Sequence, residues 1–208
     1  MITEIADGVY DLTLTEFNRA RYRVFLFDGD VPTLVDAGLG DTTDVLFERL
    51  DELGVDPQRL VVTHGDPDHV GGLHDVVDRY GVETLVPEGM NVDGHDPDHV
   101  YGDGDAVGRF TAVHTPGHTA HHHSLVDEDA GVAVLGDAVF GSDARGLPDG
   151  YFVLPTGYFS GDLGQADASL SALLEFDFEV GLVFHGESAT SGASEKLETF
   201  VNFKGKPE

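Results

Sequence analysis

The sequence predicts a mixed α/β fold built from two α/β units. Short apolar segments with strand-like alternation recur throughout the 208 residues, and segments with helical spacing of apolar residues lie between them. Each half of the chain is rich in strands and ends in a helix. No linker or shift in composition marks a second domain, so residues 1–208 are expected to form a single domain of two similar halves, about 1–100 and 101–208.

The first half is expected to begin with strands joined in a hairpin. Alternating apolar residues predict the strands, and Gly29-Asp30 supplies a turn between two of them. In chain order, the expected elements are strands over 8–14, 22–28 and 33–36, a helix over about 42–53, a strand over 59–63, a helix over 71–80, a strand over 83–87, and a loop rich in Gly, Asp and Pro over 88–105.

The second half repeats this order of strands followed by helices. Its apolar segments are short, and turn-forming residues separate them. The expected elements are strands over 110–115, 124–126 and 131–136, a long loop of Gly, Pro and aromatic residues over 141–162, a helix over 165–174, a strand over 180–184 and a last helix over 194–203.

The chain is strongly acidic, with 39 acidic and 11 basic residues and a net charge of −28. The recurring apolar strands argue against a disordered acidic chain. At an ionic strength of about 1 M the screening length falls to about 3 Å, so surface carboxylates barely repel one another. The composition therefore indicates a protein adapted to a salt-accumulating, halophilic cytoplasm.

The same composition argues against several classes of partner. Nucleic acids and anionic membranes are bound through patches of Lys and Arg, which this chain lacks. No apolar run approaches the roughly 18–20 residues of a membrane span, and the N-terminal residues do not have the pattern of a signal peptide. We expect a cytoplasmic protein that acts on a small molecule. The chain has no cysteine, so His and carboxylate side chains must hold any metal.

The clearest functional signal is the segment Thr63-His-Gly-Asp-Pro-Asp-His-Val-Gly-Gly72. It places two imidazoles, of His64 and His69, beside the carboxylates of Asp66 and Asp68. The segment follows a buried strand and precedes a helix, a position where a rigid scaffold presents ligands. Zinc, iron and manganese all accept this set of donors.

A second segment, His95-Asp-Pro-Asp-His99, nearly repeats the first. It follows Asp93-Gly94 and not an apolar strand. Because Asp is common throughout this chain, the residue types alone carry little weight. We therefore expect the second segment to be solvated loop.

Three further polar side chains follow predicted strands. His118 stands in His114-Thr-Pro-Gly-His118-Thr, directly after a Pro-Gly turn, and Asp137 ends Val134-Leu-Gly-Asp137. His185 ends Val183-Phe-His185. A carboxylate at the end of an apolar strand is costly unless it meets a cation. These positions indicate that several strand ends deliver ligands to one metal centre.

Together these motifs resemble the metallo-β-lactamase-fold hydrolase superfamily, and in particular its glyoxalase-II-like and lactonase-like members. The resemblance runs over roughly residues 8 to 203. It is carried by Val35-Asp36-Ala-Gly, Thr63-His-x-Asp-x-Asp-His-x-Gly-Gly72, Thr115-Pro-Gly-His-Thr119, Leu135-Gly-Asp137 and Phe184-His185-Gly. It implies a four-layer αββα sandwich with two divalent metals at one sheet edge, zinc above all, with manganese or iron as alternatives.

The resemblance also implies a role for each ligand. The first metal is assigned to His64, Asp66 and His118, the second to Asp68, His69 and His185, and Asp137 bridges the two. Asp36 supports the centre without binding metal. Among the remaining histidines, His114 is a candidate for orienting a ligand, whereas His121, His122 and His123 are expected to be structural residues or residues at the rim of the site.

Asp66 departs from the family pattern, which has histidine at this position. Asp is shorter than His and carries a negative charge, so Asp66, Asp68 and Asp137 together oppose the +4 of two divalent metals. With a bridging hydroxide the centre would be about neutral, where the family's set stays at +1. This predicts a weaker first site that tolerates harder ions such as Mn²⁺ or Fe²⁺, or one that Asp66 does not reach.

The resemblance implies hydrolysis of an ester, thioester or lactone by a metal-activated water. Asp68 is the candidate catalytic residue, which would pass a proton to the leaving group, and Tyr158 in the long loop is the candidate substrate contact. Two alternatives stay open. Without Asp66 the first site resembles the mononuclear iron site of persulfide dioxygenases, and loss of catalysis through Asp66 would leave a metal-binding module.

Overall fold

The chain divides into two units that each contain a sheet and its own core. The computed structural model describes residues 1–17 and 20–205. Unit 1 is Met1–Tyr101, and unit 2 is Gly102–Glu208. The expectation of a single domain stays a prediction.

Unit 1 contains one seven-stranded sheet and three helices. Its strands are β1 (Ile2–Ala6), β2 (Val9–Phe17), β3 (Ala20–Phe27), β4 (Thr33–Val35), β5 (Arg59–Val61), β6 (Glu83–Pro87) and β7 (His99–Tyr101). Its helices are α1 (Thr43–Leu53), α2 (Pro67–Val70) and α3 (Leu73–Tyr80), and a single 3₁₀ turn, Gly40–Thr42, precedes α1.

The strands of unit 1 lie in the order of the chain. Strands β1 to β4 pair antiparallel, and β4 to β7 pair parallel. Parallel neighbours require crossover connections, and α1 supplies one between β4 and β5, while α2 and α3 supply the next. The carboxyl ends of β4, β5 and β6 therefore meet at one edge of the sheet.

The helices of unit 1 bury apolar faces against this sheet. Leu46 and Leu50 of α1 form one fully buried cluster with Leu34 of β4 and Leu60 of β5. Burial of such a side chain contributes roughly 1.5–3 kcal/mol. The cluster fixes the strands whose ends carry the polar residues described below.

Unit 2 contains a five-stranded sheet, a two-stranded sheet and two α-helices. Its strands are β8 (Ala106–Val107), β9 (Phe110–His114), β10 (His123–Asp127), β11 (Val132–Gly136), β12 (Phe140–Gly141), β13 (Phe152–Val153) and β14 (Val180–Val183). Its helices are α4 (Leu163–Ser169) and α5 (Ala193–Asn202), with 3₁₀ segments at Ser142–Arg145 and Leu170–Glu175.

The larger sheet of unit 2 has the order β14-β11-β10-β9-β8. Strands β9, β10 and β11 form an antiparallel meander, and β14 joins β11 in parallel. Leu170 and Phe200 pack with Leu135 and Val183 in one buried cluster. Strand β11 therefore has a parallel neighbour on one side and a hairpin partner on the other.

The structure confirms the mixed α/β class and corrects several elements. Strand β1 was not expected. The long loop expected over 141–162 contains β13 and a 3₁₀ segment, and the helix expected over 165–174 is α-helical only to Ser169. No helix within the described part of the chain has both the length and the apolar character needed to cross a bilayer.

The second His-Asp-Pro-Asp-His segment is mostly exposed loop up to Asp98, as expected, and enters a strand only at His99. Strand β7 begins at His99 and pairs in parallel with β6. The Asp98 carboxylate accepts hydrogen bonds from the backbone N–H and the hydroxyl of buried Thr84, both at 2.9 Å. These bonds hold the pKa of Asp98 below its ordinary value. These bonds therefore hold the segment against the edge of the unit 1 sheet.

Candidate metal centre

Unit 1 presents its polar residues at the carboxyl ends of two parallel strands. Asp36 directly follows β4, and Thr63 and His64 follow β5, with Val35 opposite Val61 in the register of the pair. Asp36 leaves its strand in a left-handed conformation, with φ of 63°. A non-glycine residue in this region costs free energy and often marks a functional site.

Asp36 is fully buried and accepts three hydrogen bonds within unit 1. The backbone N–H of Thr63 donates to Oδ1 at 2.6 Å, the Thr63 hydroxyl donates to Oδ2 at 2.7 Å, and the Nδ1–H of His69 donates to Oδ2 at 2.6 Å. Charge-assisted bonds of this length are the strong ones. They compensate the cost of burying the carboxylate.

The same bonds orient the two histidines of unit 1. With Nδ1 of His69 held by Asp36, its Nε2 faces away and lies 3.9 Å from Oδ2 of Asp68. Nδ1 of His64 lies 3.1 Å from the Thr63 hydroxyl, and its Nε2 lies 3.6 Å from Oδ2 of Asp66. Each imidazole thus directs Nε2 towards a carboxylate, and the two rings lie 4.0 Å apart.

Two glycines allow the helix that carries Asp68 and His69 to approach the strand ends. A Cβ on Gly71 would lie 2.5 Å from the backbone N of Gly40, and one on Gly72 would lie 2.4 Å from the carbonyl oxygen of Ala37. Both distances are shorter than any real contact of this kind. The Gly-Gly pair of the motif is therefore required by packing.

Unit 2 also places polar residues beyond the carboxyl ends of two neighbouring parallel strands. Asp137 follows β11, and His185 lies just beyond β14, with Gly136 paired to Val183. Nε2 of His185 lies 3.4 Å from Oδ2 of Asp137. The ring of Phe140 packs edge-on against the His185 imidazole at a centroid distance of 4.8 Å.

His118 reaches the same carboxylate from the turn between β9 and β10. Its Nε2 lies 3.5 Å from Oδ2 of Asp137, and its Nδ1 lies 3.2 Å from the hydroxyl of Ser160. Gly117 precedes it with φ of 134°, and a Cβ there would lie 2.1 Å from the backbone N of Ala166. The Pro-Gly turn therefore sets the backbone directly before His118 close against α4.

The distances between imidazole and carboxylate in unit 2 fit metal coordination better than hydrogen bonding. Two donor atoms bound at about 2.0–2.1 Å to one tetrahedral ion lie about 3.3–3.4 Å apart. The pairs that Asp137 forms with His118 and His185 have separations of 3.5 and 3.4 Å, longer than ordinary N–H···O bonds. The donor chemistry, imidazole Nε2 and carboxylate oxygen, suits a divalent metal.

Two residues that sequence reasoning did not assign to the centre contact its candidate ligands. Ser160 lies against His118, and buried His122 accepts a hydrogen bond at Nε2 from the backbone N–H of Asp137 at 2.9 Å. Ser160 lies far from His118 in the sequence and is not part of any motif that the sequence analysis identified. His122 was hidden within a run of three histidines that resembles a tag.

The remaining candidates lie elsewhere in unit 2. The Nε2 of His114 bonds to the carbonyl of Ala120 at 3.0 Å, and its ring packs on His123 at 4.8 Å. Burial lowers the pKa of His123. Tyr158 is 89% exposed and packs edge-on against Phe159 at 4.8 Å. The roles proposed for His114 and Tyr158 stay predictions.

Comparison with known proteins identifies similar sequences over most of the chain. The profile of the family described as Metallo-beta-lactamase superfamily matches residues 22–186. A hydroxyacylglutathione hydrolase of Serratia proteamaculans is 30% identical over 130 residues, which cover 61% of this chain and 51% of that protein. One of Haemophilus influenzae is 26% identical over 191 residues, covering 79% of this chain and 85% of that protein. The chain thus spans about half the length of the Serratia relative.

Solved structures show the same fold. A metallo-beta-lactamase from Pontibacter korlensis matches with a TM-score of 0.76 at 19% sequence identity, covering 97% of this chain and 96% of that one. At this identity the likeness concerns the fold alone. It confirms the fold that the motifs predicted.

Proposed function

Because the chain belongs to the metallo-β-lactamase superfamily, we propose that it is a metal-dependent hydrolase that cleaves an ester, thioester or lactone. The observation that carries the proposal is the geometry of the imidazoles. In His69 and His118, Nδ1 is held by a protein oxygen while Nε2 faces a carboxylate. Histidine that binds metal is oriented in this way in metalloenzymes.

We assign the ligands according to the family pattern. His64, Asp66 and His118 would hold the first metal, and Asp68, His69 and His185 the second, with Asp137 between them. The short distances within each unit support this assignment, since each candidate imidazole has a candidate carboxylate within 3.9 Å. The described residues include groups of His and Asp that could hold metal ions. Zinc is the expected metal.

Bound divalent metals would lower the pKa of water towards neutrality and polarise a carbonyl group. The residues of the chain would do the rest. Asp36 holds the His69 ring in one orientation through its 2.6 Å bond. Asp68, whose side chain is 21% exposed, is accessible to a substrate and would carry a proton to the leaving group.

The curated relatives favour a thioester among the possible substrates. Two of them are named hydroxyacylglutathione hydrolases, and hydroxyacylglutathione is a thioester. The exposed rings of Tyr158 and Phe159 offer apolar and hydroxyl contacts to such a substrate. Backbone bonds from Gly161 to His118 and from Asp162 to Gly117, at 3.0 and 2.9 Å, tie their loop to the turn that carries His118.

The position of Asp66 is compatible with a role as ligand. Asp66 occupies the N-cap position of α2 but makes no capping hydrogen bond with its side chain. Its carboxylate instead lies 3.6 Å from Nε2 of His64. We therefore include Asp66 in the first site and expect its shorter, harder oxygen donor to favour Mn²⁺ or Fe²⁺ relative to zinc at that site.

The test is metal content and turnover measured on one preparation purified without added metal. We expect up to two equivalents of zinc or manganese and hydrolysis of thioesters or lactones. His185→Ala should lose one equivalent of metal and the hydrolytic activity. The control is His121→Ala, which removes an exposed histidine outside the proposed ligand set. One equivalent of iron together with oxidation of a persulfide would contradict the proposal in favour of a dioxygenase, and metal without any turnover would leave only a binding module.

A further inference from the structure

His122 is a buried histidine in contact with the backbone of a candidate ligand. It is fully buried, as are Thr115, its hydrogen-bond partner, and Ser124, which bonds to Thr115. Its Nε2 accepts the backbone N–H of Asp137 at 2.9 Å, and its Nδ1 lies 2.8 Å from the hydroxyl oxygen of Thr115. Neither of these two nitrogens faces bulk water.

The two end groups, the N–H of Asp137 and the carbonyl of Leu135, determine the direction of every hydrogen bond between them. Since Nε2 accepts a proton from Asp137, the neutral ring carries its own proton on Nδ1 and donates it to Thr115. The Ser124 hydroxyl donates to the carbonyl of Leu135 at 3.1 Å. Thr115 must therefore donate to Ser124, at 3.0 Å. The bonds form one directed chain from the Asp137 N–H to the Leu135 carbonyl.

This chain connects the two segments that carry candidate ligands in unit 2. His122 and Thr115 close the turn that holds His118, through their side chains and a backbone bond of 3.0 Å. This chain of hydrogen bonds starts at the backbone N–H of Asp137, directly after β11. It ends at the carbonyl of Leu135, within β11. The bond from Asp137 to His122 thus fixes His118 relative to Asp137.

We propose that His122 is a positioning residue for metal binding, which holds the backbone of Asp137 so that its carboxylate meets the imidazoles of His118 and His185. This inference rests on the proposed function. The carboxylate lies 3.5 Å from Nε2 of His118 and 3.4 Å from Nε2 of His185. A small rotation of the peptide at Asp137 would lengthen one of these distances and weaken the site.

Histidine suits this task because it accepts at one end and donates at the other. Leucine at the position would leave the N–H of Asp137 and the hydroxyl of Thr115 buried without their partners, which is costly. Glutamine places an amide oxygen near the position of Nε2 and so retains the acceptor. Comparison of the two variants separates the hydrogen bond from the volume of the side chain.

The experiment titrates the metal-free protein with Co²⁺ alone and follows visible absorption of the bound ion. We expect His122→Leu to weaken Co²⁺ binding by about 10–100-fold, the range found for residues that orient ligands. We expect His122→Gln to restore most of the affinity. The matched control is His121→Leu, because His121 is the neighbouring histidine and is exposed; its affinity should equal that of the wild type.

Thermal melting of the metal-free proteins separates positioning from folding. A merely structural role would lower the melting temperature of His122→Leu while its folded fraction binds Co²⁺ normally, and that result would overturn the inference. Where His122→Leu does not fold, Thr115→Val carries the test, since valine has the shape of threonine and removes the hydroxyl that accepts from Nδ1–H and donates to Ser124. Unchanged Co²⁺ affinity in Thr115→Val would then count against it.

The outcome for the wild type distinguishes this inference from the proposed function. A wild type that binds no metal overturns both. A wild type that binds Co²⁺ and hydrolyses its substrate, beside a His122→Leu variant of equal Co²⁺ affinity, overturns the role of His122 alone.

Discussion

Unit 1 contains the sequence Asp-Pro-Asp-His twice, at 66–69 and at 96–99, and the two copies have different environments. The first copy begins a helix at the carboxyl end of the parallel strands, and its histidine donates to buried Asp36 at 2.6 Å. The second leads into an edge strand, and Nε2 of its histidine, His99, lies 3.0 Å from the carboxylate of Glu83.

The difference lies in which nitrogen of the histidine is held and by what. In His69 the protein holds Nδ1 and directs Nε2 to a carboxylate at 3.9 Å. In His99 the protein holds Nε2 itself, and the side chain is 58% exposed. The same four-residue sequence thus supplies a candidate metal ligand in the first copy and a contact at the edge of the sheet in the second. The protein groups that hold a histidine ring, more than the motif in which it stands, indicate its role.

The largest expected effect concerns the two histidines themselves. His69→Ala should lose one equivalent of metal and hydrolytic activity, because it removes a proposed ligand. His99→Ala should retain both, since His99 contacts only Glu83 among the bonds described here. Metal analysis and turnover on the two purified variants check this. Equal loss in both variants would contradict the distinction between the two copies.

A smaller effect is expected from the carboxylates that hold these histidines. Asp36→Asn keeps the shape but removes the charge that accepts three buried bonds. We expect about 1–3 kcal/mol of lost stability, the cost of an imperfectly satisfied buried group, and metal binding weakened by about 10–100-fold.

The matched control is Glu83→Gln, whose carboxylate is 37% exposed and pairs with Arg59 at 2.7 Å. Exposed pairs contribute about 0–1 kcal/mol, so this variant should bind metal as the wild type does. Denaturant unfolding and metal titration measure both quantities. Metal affinity that falls equally in Asp36→Asn and Glu83→Gln would contradict a special role for Asp36.

The comparison of the two copies also shows what sequence can and cannot predict. An apolar strand before the motif indicated the first copy as the candidate site, and this choice stays a prediction. The second copy is loop up to Asp98, as expected, but the bonds from Thr84 to Asp98 were not predicted, because they depend on β7 pairing with β6. Pairing between strands is not visible in a local motif.

The supporting residues were harder to predict than the candidate ligands. Asp36 was expected to support the centre, on the basis of the resemblance. Ser160 was missed because it lies 42 residues from His118 in the sequence, between β13 and α4. His122 was missed because a histidine that bonds to a backbone N–H has no characteristic spacing. Such contacts depend on how the turn between β9 and β10 closes.

A more modest effect is expected when the first copy is given the family's usual residue. Asp66→His should increase metal occupancy at the first site without abolishing hydrolysis. Imidazole reaches further than a carboxylate, and removal of one negative charge makes the centre more electrophilic. The control, Asp96→His, changes the equivalent position of the second copy and should leave metal content unchanged. Elemental analysis and turnover measure both. Loss of metal and activity together in Asp66→His would show that Asp66 is a required ligand.

The smallest expected effect per residue is the change with salt in the stability that the contacts of each copy contribute. Molar KCl shortens the screening length to about 3 Å and should raise the melting temperature of the wild type, because 39 acidic residues repel one another less. The contribution of the exposed Glu83–Arg59 pair should shrink under the same conditions, so Glu83→Gln should cost a few tenths of a kcal/mol in dilute buffer and almost nothing in molar KCl. Asp36 is fully buried, and its bond to His69 is shielded from ions, so the cost of Asp36→Asn should persist at both salt concentrations. Melting curves of the three proteins in the two buffers test this. A wild type whose melting temperature does not rise with KCl would refute the adaptation to salt and leave the metal centre unaffected.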